Sequence, residues 1–137
     1  MCGGATYSVK GDKVSVYFPN PYAKLPVLLK DGSIELYDWG RRENQPGKLP
    51  LGGWARLDSI KSGKWEYTHP TPCKIIVDSF MEKDQNKKSI WFNMESGSFL
   101  QGLYAQLGDE QKLYVVTVKP DDELKKIHHR FPRIIKV

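Results

Sequence analysis

The sequence predicts a β-rich α+β domain, in which a barrel-like mixed sheet is accompanied by a few short helices. Two observations support this fold class. Short segments of β-branched and aromatic residues recur along the chain, separated by glycine, proline, asparagine and aspartate. Helical signals, in contrast, are confined to two short segments. The 137 residues are enough for one domain, so we expect a single domain over residues 1–137.

Strands are predicted along most of the chain. Residues 14–18 are β-branched or aromatic at alternate positions and stop at a proline. Residues 25–30 and 33–39 flank Asp31-Gly32, a dipeptide typical of a two-residue hairpin turn. Further strands are predicted at residues 73–77, 90–94, 99–106 and 112–118.

Two segments favour helix. Residues 55–61 are compatible with one short helix. Residues 121–128 begin with acidic residues and end with lysines and His128, an order that complements the helix dipole. Leu124 and Ile127 would then face the core, because they are three positions apart.

The segment 39–54 is predicted to be a long ordered loop. It contains four glycines and two prolines, together with Arg41 and Arg42, and a tryptophan stands at each end, Trp39 and Trp54. Long loops on small domains often carry function, so this segment is a candidate binding surface.

Composition limits the classes of protein to which this chain can belong. The net charge is +5 and the sequence pI is about 9.1, a mild basic excess compatible with a polyanionic partner. No apolar stretch approaches the roughly 20 residues of a membrane span. The first residues lack the basic and apolar regions of a signal peptide, so we expect a cytoplasmic protein, without a membrane partner. The two cysteines, Cys2 and Cys73, are expected to be reduced thiols.

The common motifs of metal and nucleotide sites are missing. The sequence has no C-x-x-C, H-E-x-x-H or Walker loop. His69, His128 and His129 do not have the spacing to the cysteines that zinc sites use. We therefore expect neither a metal nor a cofactor.

One constellation of residues suits a different chemistry. Removal of Met1 would leave Cys2 with an α-amine and a thiol on adjacent carbons. An α-amine has a pKa of about 8, so part of it is neutral at pH 7 and can add to an aldehyde, after which the thiol closes a thiazolidine ring. Glu82 and His128 could move the protons, and Arg56 could hold a phosphate. Each residue also has an ordinary alternative. Cys2 could be an inert thiol and Glu82 part of an exposed polar loop. His128 could be a helix cap and Arg56 a surface charge.

Six segments resemble motifs of the SRAP family, the SOS response-associated peptidases or abasic-site processing proteins. They occur in the family's order and span nearly the whole chain. The family strings are M-C-G-R, R-W-G, N-A-R-A-E-T, R-C-L-I-P-A-D-G-F-Y-E-W, F-A-G-L-W and I-H-D-R-M-P. The corresponding segments here are residues 1–3, 37–40, 55–59, 73–82, 99–104 and 127–132.

The resemblance implies a function in the DNA damage response, or SOS response. Family members capture the aldehyde of an abasic site in single-stranded DNA as a thiazolidine DNA–protein crosslink. Cys2 would be the nucleophile once Met1 is removed, and Glu82 and His128 the other catalytic residues. The protein would be a monomer that joins the nucleoid when DNA is damaged. Expected DNA contacts are Arg56, Trp39, Trp54, Arg41, Arg42 and Arg130.

The chain departs from the family at three positions. Gly4 replaces an arginine that contacts DNA, Trp54 replaces an asparagine that organises the site, and His129 replaces an aspartate. We interpret the chain as a compact, divergent member of the kind that a phage or mobile element carries. Two alternatives stay open: a non-catalytic single-stranded DNA-binding module, and a thiol autopeptidase, or hydrolase, that acts on its own N-terminus.

Overall fold

The computed structural model describes residues 2–126, 128 and 130–136, apart from the side chains of Cys2 and Lys126. These residues form one α-helix, α1 (Leu57–Lys61), and two 3-10 turns, Glu66–Thr68 and Leu124–Lys126. The strands are β1 (Cys2–Val9), β2 (Asp12–Tyr17), β3 (Lys24–Leu28), β4 (Ile34–Asp38), β5 (Trp54–Arg56), β6 (Thr71–Ile75), β7 (Ser79–Lys83), β8 (Ser89–Asn93), β9 (Ser98–Leu107), β10 (Glu110–Val118), β11 (Phe131–Pro132) and β12 (Ile134–Lys136).

The strands form two sheets. The smaller sheet has the order β2-β1-β7-β8, so the chain begins in a central strand. The larger sheet has the order β11-β10-β9-β6-β3-β4, with β12 added to β9 and β5 added to β10. The β5–β10 pair is parallel and the others are antiparallel, which makes the larger sheet mixed.

Two apolar clusters form the core. The first includes Ala5 and Phe80 of the smaller sheet with Leu25, Ile75 and Val115 of the larger one, so it joins the sheets. The second lies on the other face of β10, where Tyr114 and Val116 pack with residues that include Leu49 and Trp65. Because successive residues of a strand face opposite ways, β10 contributes to both clusters. This explains why residues 113–116 of β10 are all hydrophobic.

The β-rich prediction with few short helices is confirmed, and several details change. Over the described residues neither sheet closes into a barrel; Trp39 makes a single bridge to Leu113, which brings the end of β4 to β10. The hairpin between β3 and β4 turns through three residues, because Leu29 N–H donates to the carbonyl of Ser33. The predicted hairpin therefore exists, but the prediction of a two-residue turn at Asp31-Gly32 is wrong.

The helix predicted at residues 121–128 is present only in part. Within the described residues of that span, 121–126 and 128, the one helical element is the 3-10 turn Leu124–Lys126, and the carboxylate of Asp121 accepts the N–H of Leu124. A segment this short needs tertiary packing to become a stable helix. Among its described residues only Leu124 packs against the core, and Ile127 lies outside the described residues. The helix predicted at residues 55–61 exists, but begins at Leu57.

Candidate active site

A cleft of about 520 Å³ opens at the end of the smaller sheet where the chain begins. Strands β1, β2, β7 and β8 contribute residues to one side of it, and Trp54 of β5 and His128 contribute to the other. The lining residues are Gly3, Tyr17, Phe18, Pro19, Trp54, Met81, Lys83, Ser89 and His128. The cleft therefore joins residues that are far apart in the chain.

The position of Cys2 is determined by the pairing of β1 with β7. Cys2 lies opposite Glu82 and Gly4 lies opposite Met81, so Gly3 is an extra residue that forms a β-bulge. Bulges bend a strand and are common beside active sites. The backbone of Cys2 thus belongs to the smaller sheet and is adjacent to that of Glu82.

Glu82 is an unusual residue for the interior of a small protein. Its exposed fraction is 0%, and the alternation of β7 places it on the same side as the buried ring of Phe80, opposite the side on which Met81 and Lys83 line the cleft. Burial raises the pKa of Glu82 from its ordinary value of 4.5 to about 7. At neutral pH the carboxyl group therefore exchanges a proton readily, which is the property of a general acid or base.

His128 lies at the opposite side of the cleft. Its backbone N–H donates to the carbonyl of Leu124, which fixes the chain, and its Nδ1 accepts the N–H of Arg130. An Nδ1 that accepts leaves Nε2 as the protonated nitrogen of the neutral ring. The half-buried imidazole lines the cleft, where its Nε2–H can donate a hydrogen bond.

The structure places two of the three predicted catalytic positions, Cys2 and Glu82, next to each other. Cys2 is paired with Glu82, and Gly3, the neighbour of Cys2, shares the cleft with His128. The alternative that Glu82 lies in an exposed polar loop is excluded. Glu82 lies within β7, and the loop begins only at Asp84. Met1, His129 and the side chain of Cys2 lie outside the description.

The two tryptophans of the predicted DNA surface occupy different environments. Trp54 is half-buried and lines the cleft, where its ring packs on Phe18 with a centroid distance of 4.7 Å. Trp39 has an exposed fraction of 0%, and its Nε1 donates to the carbonyl of Gly53. A Cβ at Gly53 would lie 2.6 Å from that nitrogen, so glycine is required there. Trp39 has no surface to offer to DNA, and this prediction is corrected.

Arg41 and Arg42 stabilise the loop between β4 and β5. Arg41 donates to the carbonyls of Gln45 and Leu49. Arg42 donates to the carbonyls of Phe18 and Trp39, and its guanidinium lies 4.0 Å from the centre of the Phe18 ring. The prediction that these arginines contact DNA is corrected, because their donors bond to the carbonyl of Phe18 and to carbonyls of the loop itself.

The other two predicted DNA contacts, Arg56 and Arg130, flank Asp58. Arg56 is exposed, and its Nη2 lies 3.2 Å from the carboxylate of Asp58. Arg130 is 6% exposed and donates from Nη2 to the carbonyl of Thr117. Arg56 can thus reach a phosphate, whereas the buried Arg130 holds the segment after His128 against β10.

The sequence arguments missed several residues of the cleft. Tyr17, Met81, Lys83 and Ser89 line it but were not predicted as site residues. Their only sequence signal is position: Tyr17 lies one residue before the end of a predicted strand, and Met81 and Lys83 flank Glu82. They could be assigned only through the pairing of the four strands.

No protein-family model matches the chain, and no curated protein matches it either. No helix among residues 2–126, 128 and 130–136 is long and apolar enough to cross a membrane. Within the same residues no group of three histidine, cysteine, aspartate or glutamate side chains could hold a metal ion.

Proposed function

We propose that the protein captures abasic sites in single-stranded DNA by forming a thiazolidine crosslink through Cys2 after Met1 is removed. We also infer a compact SRAP-like fold. The observation that carries the proposal is the pairing of Cys2 with Glu82, a buried carboxyl group whose pKa is about 7. This pair lies beside a cleft that His128 also lines.

The chemistry needs proton transfer at each step. The amine of Cys2 adds to the aldehyde carbon of the opened sugar, and the resulting carbinolamine loses its hydroxyl group as water to give an imine. The thiol then adds to the imine carbon through sulfur, and the nitrogen gains a proton, which closes the thiazolidine ring. The net reaction joins the aldehyde and the aminothiol and releases one water.

Glu82 and His128 supply the protons in this scheme. A carboxyl group with a pKa of about 7 is partly protonated at neutral pH, so it can protonate the departing hydroxyl and later accept a proton. His128, which lines the cleft, serves the same purpose there. Arg56, exposed on β5 two residues beyond Trp54, is available to a backbone phosphate.

A denaturing gel tests the proposal directly. Protein from which Met1 has been removed, verified by intact mass, is mixed with an oligonucleotide that carries one true abasic site. We expect a covalent band of reduced mobility that Cys2→Ala abolishes and Cys73→Ala retains. Absence of the band with processed wild-type protein would refute covalent capture.

A second candidate is a non-catalytic module that binds single-stranded DNA. It is favoured by exposed aromatic and basic residues near the cleft, namely Tyr17, Trp91 and Lys83. Such a module would bind intact strands as tightly as abasic ones, with an affinity that falls as salt rises. The same gel, run beside an anisotropy titration, separates the two functions.

A further inference from the structure

Two exposed aromatic side chains contact each other, one of which lines the cleft, and the proposed chemistry does not use them. Tyr17 ends β2 and lines the cleft, whereas Trp91 lies in β8. Their ring centres are 6.2 Å apart with an angle of 81° between the planes. Tyr17 is 46% exposed and Trp91 is 40% exposed, so both rings offer surface to a partner.

Gly4 explains how rings from non-adjacent strands can meet. Strands β2 and β8 are separated by β1 and β7, and the register places Tyr17, Gly4, Met81 and Trp91 in one row across the sheet. A Cβ built on Gly4 would lie 3.0 Å from Cδ1 of the Tyr17 ring. The tyrosine ring therefore lies over the space that a side chain at position 4 would fill.

Positive charge is concentrated at the same end of the sheet. Lys83 is exposed and lines the cleft, and the loop from β7 to β8 carries Lys87 and Lys88, which are also exposed. The one acidic residue of the loop, Asp84, uses its carboxylate to accept the backbone N–H groups of Asn86 and Lys88. The lysines thus complement the phosphates of a nucleic acid strand.

An abasic nucleotide has no base, so it cannot contribute stacking energy to its own recognition. Affinity for such a site must come from the sugar, the phosphates and the bases on either side. Aromatic rings bind unpaired bases of any sequence by stacking, and nearby lysines hold the backbone. The row of Tyr17, Gly4 and Trp91 supplies such rings beside the cleft.

We propose that Tyr17 and Trp91 form a stacking platform for the base next to the lesion, with Lys83 beside the adjoining phosphate. This inference rests on the proposed function, since it assumes a single-stranded abasic DNA in the cleft. It also gives Gly4 a role, because the small residue that replaces the family's arginine leaves room for the platform.

The test uses an oligonucleotide with a tetrahydrofuran abasic analogue, which cannot open to an aldehyde, so that binding is reversible. The fluorescent base 2-aminopurine is placed in turn at four positions, namely the first and the second nucleotide on each side of the analogue. We expect wild-type protein to quench 2-aminopurine most strongly at one position adjacent to the analogue. Trp91→Ala should weaken binding roughly 5- to 100-fold, the range for one stacked base.

Two further variants serve as controls. Trp91→Phe keeps an aromatic ring and should retain most of the affinity, and Tyr22→Ala should leave it unchanged. Tyr22 is a matched control because it is 84% exposed and does not line the cleft. Thermal unfolding of each variant confirms that it is folded before affinities are compared.

Two results would overturn the platform. One is a folded Trp91→Ala protein that binds as tightly as wild type; the other is the absence of 2-aminopurine quenching at every flanking position with wild-type protein. A crosslink to a true abasic site in either case would leave the proposed function intact. Trp91-dependent quenching without a crosslink would retain the platform and exclude the covalent reaction.

Discussion

Two concave sites among the described residues have equal volumes, about 520 Å³ each, and very different chemistry. The first is the cleft beside Cys2 and Glu82. The second is an apolar groove between the β3–β4 hairpin and β6, whose lining includes Leu28, Pro72 and Cys73. Volume alone therefore does not identify an active site in this protein.

The two sites differ in how burial acts on their titratable groups. Burial raises the pKa of Cys73 to about 12, so its thiol stays protonated and unreactive at neutral pH. Burial raises the pKa of Glu82 to about 7, which is where a proton donor or acceptor works best. The same physical effect thus inactivates one group and tunes the other.

The largest expected effect is on the rate of crosslinking. Glu82→Gln keeps the shape of the side chain but removes its proton transfer, so we expect the rate to fall about 10²- to 10⁴-fold. The rate of the wild-type protein should also change with pH around 7, and this inflection should be missing in the variant. Single-turnover gels over pH 5 to 9 measure both.

Glu66→Gln provides the matched control, because Glu66 is an exposed carboxylate far from the cleft in the chain. Its crosslinking rate and pH profile should equal those of wild type. A Glu82→Gln protein with an unchanged rate would remove Glu82 from the mechanism and, with it, the main difference between the two concave sites.

The sequence predicted the larger sheet better than the smaller one. Residues 113–116 are continuously hydrophobic, and they lie in the middle of β10. In contrast, β1 and β7 were not predicted, because Gly3 and Gly4 lower strand propensity and Glu82 begins a polar run. Strands of this kind are determined by pairing with their neighbours, which a single sequence does not contain.

The candidate site was predicted by residue type, and its geometry was not. Cys2, Glu82 and His128 suit the chemistry, but their convergence depends on the register of β1 with β7 and on the path of the chain after β10. For Trp39 and Arg42, in contrast, residue type led to a wrong prediction of DNA contact. Tryptophan and arginine are equally suited to a DNA surface and to packing a loop, and only burial distinguishes the two roles.

Thiol reactivity tests the apolar groove. In a Cys2→Ala background Cys73 is the one remaining thiol, since the sequence has two cysteines. A pKa of about 12 leaves so little thiolate at pH 8 that we expect Cys73 to react with a disulfide reagent about 10³-fold more slowly in the native than in the unfolded protein. Absorbance of the released thiolate gives both rates.

The reaction of native Cys73 should accelerate about tenfold for each unit of pH up to pH 10, because the thiolate fraction rises in proportion. A fast reaction at pH 7 that is independent of unfolding would show that the groove does not suppress ionisation. The two concave sites would then be chemically more alike than their structures indicate.

The pH dependence of stability follows from the buried carboxyl group. Because the pKa of Glu82 in the folded protein, about 7, exceeds its ordinary value of 4.5, the folded state holds this proton more tightly than the unfolded chain. The stabilisation is complete below about pH 4.5 and is lost as pH rises through about 7. Wild type should therefore lose stability over this range relative to Glu82→Gln.

The expected difference at pH 8 is up to about 3 kcal/mol in the free energy of unfolding, in favour of Glu82→Gln. Urea unfolding at pH 4.5 and pH 8 measures it, and Glu66→Gln again serves as the control. A difference that does not grow with pH would show that Glu82 has an ordinary pKa. A stabler but inactive variant would show that the buried carboxyl group is kept for chemistry.

The smallest effects distinguish arginines that bind DNA from arginines that support the cleft. Arg42 is packed against Phe18, and its Nη2 is buried with no hydrogen-bond partner among the described residues. Its replacement by glutamine should cost about 1–3 kcal/mol of stability, because the carbonyl groups of Phe18 and Trp39 lose their donor. Arg56→Gln removes only an exposed ion pair with Asp58, so its cost should stay below about 0.5 kcal/mol.

DNA binding should show the reverse order. If Arg56 contacts a phosphate, Arg56→Gln lowers the dependence of log affinity on log salt by about 0.7, the value for one contact to a single strand. Folded Arg42→Gln protein should keep the wild-type dependence. Anisotropy titrations at several salt concentrations give both slopes. A reduced slope for Arg42→Gln alone would reassign the phosphate contact to the loop between β4 and β5, since charge that is merely buried in the loop releases no counterions from DNA.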